Sequence, residues 1–284
     1  MENTIEVICQ DGRSLAARHF AHRGPQRRGV LIINSATGVA QRYYQPFAEY
    51  FAAAGFDVVT WDARGIGQSR SGHPRHETAR MRDWGLHDLD AVLRSSVETL
   101  SADWAEVSVI GHSSGGHLSA LAPAMQQVPR LLLIASGTGN WRKYPKGQWP
   151  RLLGAWHAAM PLLLAIFGYV PGWLGIGHDL PRGVAEDWRR WCLNADYLFS
   201  DATLDSSGYV RYRGKVLALS FTDDHGYAPA SVVDDLLAHF PLAEREHRQI
   251  HPPTVGRREI GHFAYFRPTN QDLWEELEPW LAPT

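Results

Sequence analysis

Cysteine is scarce: only Cys9 and Cys192 occur in the 284 residues. They lie far apart and in no metal-like spacing, which argues against a disulfide framework and fits a reducing compartment. An excess of charge of one sign is also missing. The net charge is −2 and the pI about 6.7, so neither nucleic acid nor an anionic membrane is expected as the main partner. The stretch from Met1 to Gly12 is polar and acidic, without the apolar run of a signal peptide, and a cytoplasmic location is expected. Met160 to Gly177 is mostly apolar, but Pro161 and Pro171 interrupt it. It is also short for the roughly 20 residues of a membrane span, so none is expected. No G-x-G-x-x-G or P-loop pattern offers a phosphate cradle. His73-Pro74-Arg75-His76 lacks the nearby carboxylate or cysteine partners that a metal site would need. Neither cofactor nor metal is expected.

What remains is an ordinary soluble composition, 44% hydrophobic and 20% charged, long enough for one large α/β domain with an insertion. Thr4–Cys9 and Ser14–Phe20 read as a hairpin around Asp11-Gly12. Val30–Asn34, Phe56–Trp61, Glu106–Ile110 and Leu131–Ala135 read as short buried strands. Helices are expected over Gln45–Ala54, His87–Leu100 and Ser114–Met125. After Ser207 the alternation resumes, with strands Lys215–Ser220 and Glu246–His251 and helices Ala230–His239 and Gln271–Leu281. Such alternation implies a mainly parallel central sheet with helices on both faces. Between Gly137 and Ser207 it stops, and six of the chain's 11 tryptophans fall there. The expected division is a core of 1–136 and 208–284 with an inserted helical cap of 137–207.

Gly111-His112-Ser113-Ser114-Gly115 stands between the apolar run Val107–Ile110 and a helical segment. A G-x-S-x-G at such a junction is a nucleophile elbow: the chain reverses sharply and the Ser113 hydroxyl stands clear of the backbone. Free N–H groups at the start of the next helix would favour a developing oxyanion. A serine needs a base, and the base an orienting acid. In the α/β-hydrolases that this elbow resembles, the order along the chain is Ser, Asp or Glu, then His. Asp223-Asp224 follow the strand Lys215–Ser220, and His262 follows the strand ending near His251. Asp224 is the expected orienter and Asp223 the alternative, with the other carboxylate a solvated turn. The oxyanion donors expected are the N–H of Ser114 and that of Thr37 in the loop Ser35-Ala36-Thr37-Gly38, with Ala36 as the alternative. His112 is expected merely to pack.

The resemblance to the α/β-hydrolase superfamily extends over nearly the whole chain. Asp62-Ala63-Arg64-Gly65-Ile66-Gly67-Gln68-Ser69 is similar to the D-x-R-G-x-G-x-S segment after a central strand in many esterases, lipases and aminopeptidases of that fold. Its role there is architectural. Ser35 to Tyr44, Ser-Ala-Thr-Gly-Val-Ala-Gln-Arg-Tyr-Tyr, resembles most the segment shared by a group of predicted α/β hydrolases. Serine aminopeptidases and monoacylglycerol lipases are more distant relatives. One departure is Ser35-Ala36 in place of the His-Gly of many relatives. The resemblance implies a serine hydrolase acting through Ser113, His262 and Asp224 on a small acyl substrate (an ester, thioester or lactone). The alternatives are an aminopeptidase, with Asp179, Glu186, Asp187 or Asp196 holding an amine, an acyltransferase, or a ligand-binding protein. The cap residues Trp156, Met160, Leu162–Leu164, Phe167, Tyr169 and Trp173 are expected to form an apolar roof.

Overall fold

A computed structural model describes residues 2–175 and 177–283. Its ten strands are β1 Glu2–Ile8, β2 Ser14–Phe20, β3 Val30–Asn34, β4 Asp57–Trp61, β5 Val107–His112, β6 Arg130–Ile134, β7 Tyr169–Val170, β8 Leu180–Pro181, β9 Lys215–Phe221 and β10 Glu244–Ile250. Eight form one sheet in the order β1-β2-β4-β3-β5-β6-β9-β10. The β1–β2 hairpin and the β2–β4 pair are antiparallel, and every later pair is parallel. β3, β4, β5 and β6 are buried along their whole length, in keeping with largely apolar strands covered on both faces. The edge strand β10 reads Glu-Arg-Glu-His-Arg-Gln-Ile and is largely exposed. Its charges discourage pairing with another chain.

Three expected helices end or begin differently. The one after Ser113 stops at Ser119. Pro123 has no N–H to continue it and keeps Ala122 extended, and Gly208 packs against the Ala120 carbonyl. The closing helix is two short pieces, Gln271–Glu275 and Glu278–Leu281, with Pro279 in the first turn of the second. The helix expected from His87 starts at Asp90, after a wide π-turn over Trp84–Leu89.

Between β6 and β9 the chain forms helices Trp149–Gly154, Met160–Phe167 and Arg182–Leu193 and the small β7–β8 ribbon. The helical run Lys146–Phe167, 22 residues, is long and apolar enough to cross a membrane by length and composition. It is longer than the apolar stretch counted from Met160, because its first turns precede that residue. In this fold Trp156, Met160 and Leu164 turn inward and are buried, and the Trp156 carbonyl accepts from Arg189 Nε at 2.5 Å.

The turn after β5 depends on absent side chains. A Cβ on Gly115 would run into the Asn34 and Ser35 carbonyls, and one on Gly111 into the backbone of Gly116. Neither obstacle can swing aside, because both are main chain. Gly115→Ala is therefore expected to destabilise the protein by about 3 kcal/mol, the upper range for overpacking a tight site. Chemical denaturation would measure this, and an unchanged midpoint would refute it.

Candidate active site

Ser113 sits at the turn between β5 and the helix Ser114–Ser119 with φ 51 and ψ −119. This conformation costs a non-glycine residue about 1–3 kcal/mol. The surroundings hold it there: the Ser113 N–H donates to Ile134 O at 3.0 Å, and Ser136 Oγ donates to Ser113 O at 2.6 Å. Ser113 Oγ lies 2.9 Å from His262 Nε2, and His262 Nδ1 lies 2.6 Å from Asp224 Oδ2. His262 and Asp224 are both buried. Asp224 also accepts from the N–H groups of Tyr227, at 3.1 Å, and Ala228, at 3.2 Å. These leave little freedom to its carboxylate. The Tyr227 ring stacks on His262 with centroids 4.6 Å apart, and sequence reasoning gave no signal for that contact.

Asp223 is not the solvated turn expected of the second carboxylate. Its Oδ2 accepts from Ile260 N at 2.8 Å and Gly261 N at 2.9 Å. It therefore ties the loop that carries His262 to the end of β9. The two neighbouring carboxylates divide the work, one holding the ring and the other the loop.

His112 does more than pack. Ala36 N–H donates to Tyr44 Oη at 2.9 Å, and that hydroxyl reaches His112 Nδ1 at 2.8 Å. His112 Nε2 lies 2.8 Å from the His262 carbonyl, so the ring donates there and accepts from Tyr44. This chain of bonds joins the loop after β3, the elbow and the His262 loop. It also occupies the Ala36 N–H. The N–H groups of Thr37 and Ser114 donate to no acceptor among the described residues, and both residues line the same pocket as Ser113.

That pocket holds about 300 Å³. Its walls include Leu152, Ala155, Trp156, Trp188, Cys192 and Tyr197. Of the residues expected to form a roof only Trp156 lines it. Met160 and Leu164 are buried elsewhere, and Leu162 and Trp173 are exposed by 60% and 75%. Which face of each helix turns inward was settled by packing that composition does not encode. Among the described lining residues Arg151 is the only charged side chain. The four acidic candidates for an amine site are engaged elsewhere. Asp187 is buried among Arg80, Arg82 and Arg190. Asp179 binds Arg70, Glu186 binds Arg182, and Asp196 faces His239. Arg64 and Ser69 are architectural: Arg64 pairs with Asp88 and Asp11, and Ser69 Oγ donates to the Asp62 carbonyl. Among the described residues no group of three or more His, Cys, Asp or Glu side chains could hold a metal.

Burial pushes His112 and His117 down to about 3, so both are neutral in the fold. The unfolded chain would protonate them near the ordinary 6.5. Between those values the unfolded state binds more protons, so stability falls as the pH drops from 6.5 toward 3. His117 Nδ1 faces Gly137 O at 3.2 Å and its Nε2 faces Tyr197 Oη at 3.0 Å, contacts that a glutamine can imitate. The expected result is that melting temperature falls on acidification through this window and falls less steeply in His117→Gln. Equal slopes in thermal melts would contradict it.

The chain aligns over 99% of its length with 98% of a putative hydrolase from Agrobacterium vitis, at 16% identity and TM-score 0.63. A soluble variant of monoglyceride lipase from Saccharomyces cerevisiae, solved with a substrate analogue, aligns over 98% of this chain and 95% of its own, at 13% identity and TM-score 0.69. An esterase from Pyrococcus furiosus gives 12% identity, 99% and 90% coverage and TM-score 0.62. At these identities the likeness establishes the fold. No curated protein matches by sequence. A family model described as serine aminopeptidase, S33, matches residues 24–187, a span that takes in the strands β3 to β6, the elbow and most of the segment that follows. The chain thus belongs to the serine aminopeptidase S33 family and is a hydrolase of the α/β-hydrolase fold.

Proposed function

We propose that the protein is a serine hydrolase that cleaves an ester, thioester or lactone with an apolar acyl part. The observation that carries this is the continuous line from Ser113 Oγ through His262 to Asp224, at 2.9 and 2.6 Å, on the floor of a largely apolar pocket. Ser113 Oγ attacks the carbonyl carbon and His262 Nε2 takes its proton. The N–H groups of Ser114 and Thr37 hold the oxyanion, where one such donor is worth about a hundred- to thousandfold in rate. His262 returns the proton to the leaving group as the tetrahedral adduct collapses to an acyl-enzyme. Water, losing a proton to His262, then releases the acid and restores Ser113. Asp224 orients the ring and stabilises its charged form. The segment 137–207 serves as a cap that supplies most of the acyl pocket.

Acyl esters are favoured over aminoacyl substrates because a free amine would meet Arg151 and, among the described lining residues, no carboxylate. The test is a fluorophosphonate probe read by intact mass, with a panel of acyl and aminoacyl chromogenic substrates. Labelling at Ser113 and at least about tenfold higher kcat/KM for acyl esters, the effect of 1.4 kcal/mol, are expected. Faster aminoacyl cleavage would make it a peptidase. Ester products formed with an added alcohol would make it an acyltransferase. A folded chain that takes no label would be a binding protein.

A further inference from the structure

A second cavity begins beside the first. It is a groove of about 960 Å³ walled by the loop after β3, the His262 loop and the turn near His178. Gly38 lines it and follows Thr37; Phe263 lines it and follows His262. Tyr43, on its wall, donates its hydroxyl to the Phe263 carbonyl at 2.6 Å. The groove therefore borders residues next to both the oxyanion loop and His262, and it shares no described lining residue with the pocket of Trp156 and Trp188.

Its charge is one-sided. Arg42 and Arg267 line it, together with His178, and no carboxylate does so among the described residues. Neither arginine takes part in an ion pair among those residues. Elsewhere in the fold Arg64, Arg82 and Arg190 each pair with carboxylates. Arg267 stands close enough to Tyr43 to oppose the upward push of burial on its hydroxyl. The half-buried rings of Tyr43 and Phe263 meet edge to face, with centroids 6.5 Å apart. Two guanidinium groups without a carboxylate partner, beside aromatic rings, suit a phosphate attached to a bulky group, since arginine matches phosphate with paired donors and rings cover flat surfaces.

The chemistry gives the groove its place. His262 must reach the leaving atom to return the proton, so the leaving group departs on the His262 side and the acyl part lies in the apolar pocket. We infer that the groove seats a phosphate-bearing leaving group, so that the substrate is an acyl ester or thioester of a phosphorylated carrier. This rests on Ser113 being the nucleophile.

Two matched pairs of substrates test it. Octanoyl-coenzyme A and octanoyl-N-acetylcysteamine share a thioester, and only the first carries the phosphorylated nucleotide arm. Monooctanoylglycerol phosphate and monooctanoylglycerol do the same for a lipid ester. The phosphorylated member of one pair should have at least about tenfold higher kcat/KM, the effect of one hydrogen bond to a charged group. That ratio should fall toward one in the double variant Arg42→Ala/Arg267→Ala, and in high salt, which screens exposed charges. Which pair shows the preference separates a nucleotide-type carrier from a phospholipid. No preference in either pair, or a preference that survives the double variant, overturns the inference while leaving the Ser113 reading intact. Calorimetry with free coenzyme A and with glycerol phosphate reads the groove without turnover. Binding lost in the double variant, together with fluorophosphonate labelling of Ser113, supports the inference; the same binding in a chain that takes no label overturns the leaving-group assignment, and no binding of either ligand overturns the phosphate seat itself.

Discussion

Ser113→Ala is expected to lower kcat by about a million-fold, the loss seen when the nucleophile of a serine hydrolase is removed. It should leave the fold unaltered. The alanine keeps the Cβ, and the elbow conformation at φ 51 is held by bonds to the residue's own main chain on both sides, Ser113 N–H to Ile134 O and Ser136 Oγ to Ser113 O. Neither bond uses the hydroxyl. Melting temperature should therefore be preserved while turnover and fluorophosphonate labelling vanish together. Ser113→Gly would lose the same activity but relieve the strained backbone and come out about 1 kcal/mol more stable than the alanine variant. That difference separates a residue kept for chemistry from one kept for structure. Turnover near the wild-type level in Ser113→Ala would place the nucleophile elsewhere. The remaining oxyanion donors and pocket would account for any residual activity above water.

How much could be read from residues alone follows from where each signal is stored. The strands β3, β4, β5 and β6 are legible because a strand buried on both faces is mostly apolar, as the runs Val30–Ile33 and Leu131–Ile134 are. The elbow is legible because its glycines answer a local need: Gly111 and Gly115 stand where a Cβ would strike main chain. His262 and the Asp223-Asp224 pair are marked by their order and by following strands, and the structure brings His262 and Asp224 to Ser113. Asp223 escapes such reading because its partners, the N–H groups of Ile260 and Gly261, are distant in sequence and carry no side-chain signature. The bond chain through Ala36, Tyr44, His112 and His262 is hidden for the same reason. The pocket wall is the least legible part. The segment 137–207 is rich in large apolar residues on every side, so composition places a roof there without saying that Trp188 faces in and Trp173 faces out.

Asp224→Ala is expected to cost about ten-thousand-fold in kcat, the scale for loss of a triad carboxylate. Asp223→Ala should cost about ten- to hundredfold, the scale of a small misplacement of a catalytic group. The inequality follows from what each carboxylate touches. Asp224 meets the imidazole itself at 2.6 Å. Without it His262 Nδ1 loses its acceptor, the ring is free to take the tautomer that cannot accept the Ser113 proton, and the charged ring of the transition state has no counter-charge. Asp223 touches only main chain, at Ile260 N and Gly261 N. Its removal leaves two donors wanting and loosens the loop, at about 1–3 kcal/mol for each buried group left unpaired. The signatures therefore differ in kind. Asp223→Ala should melt earlier and regain much of its activity when assayed well below its melting point, because the loop can still sample the productive position. Asp224→Ala should stay inactive at every temperature, since no rearrangement supplies a new acceptor to Nδ1. Kinetics of both variants over a temperature series would decide the matter. Small and equal losses would remove Asp224 from the orienting role, and a larger, temperature-independent loss in Asp223→Ala would transfer that role to its neighbour.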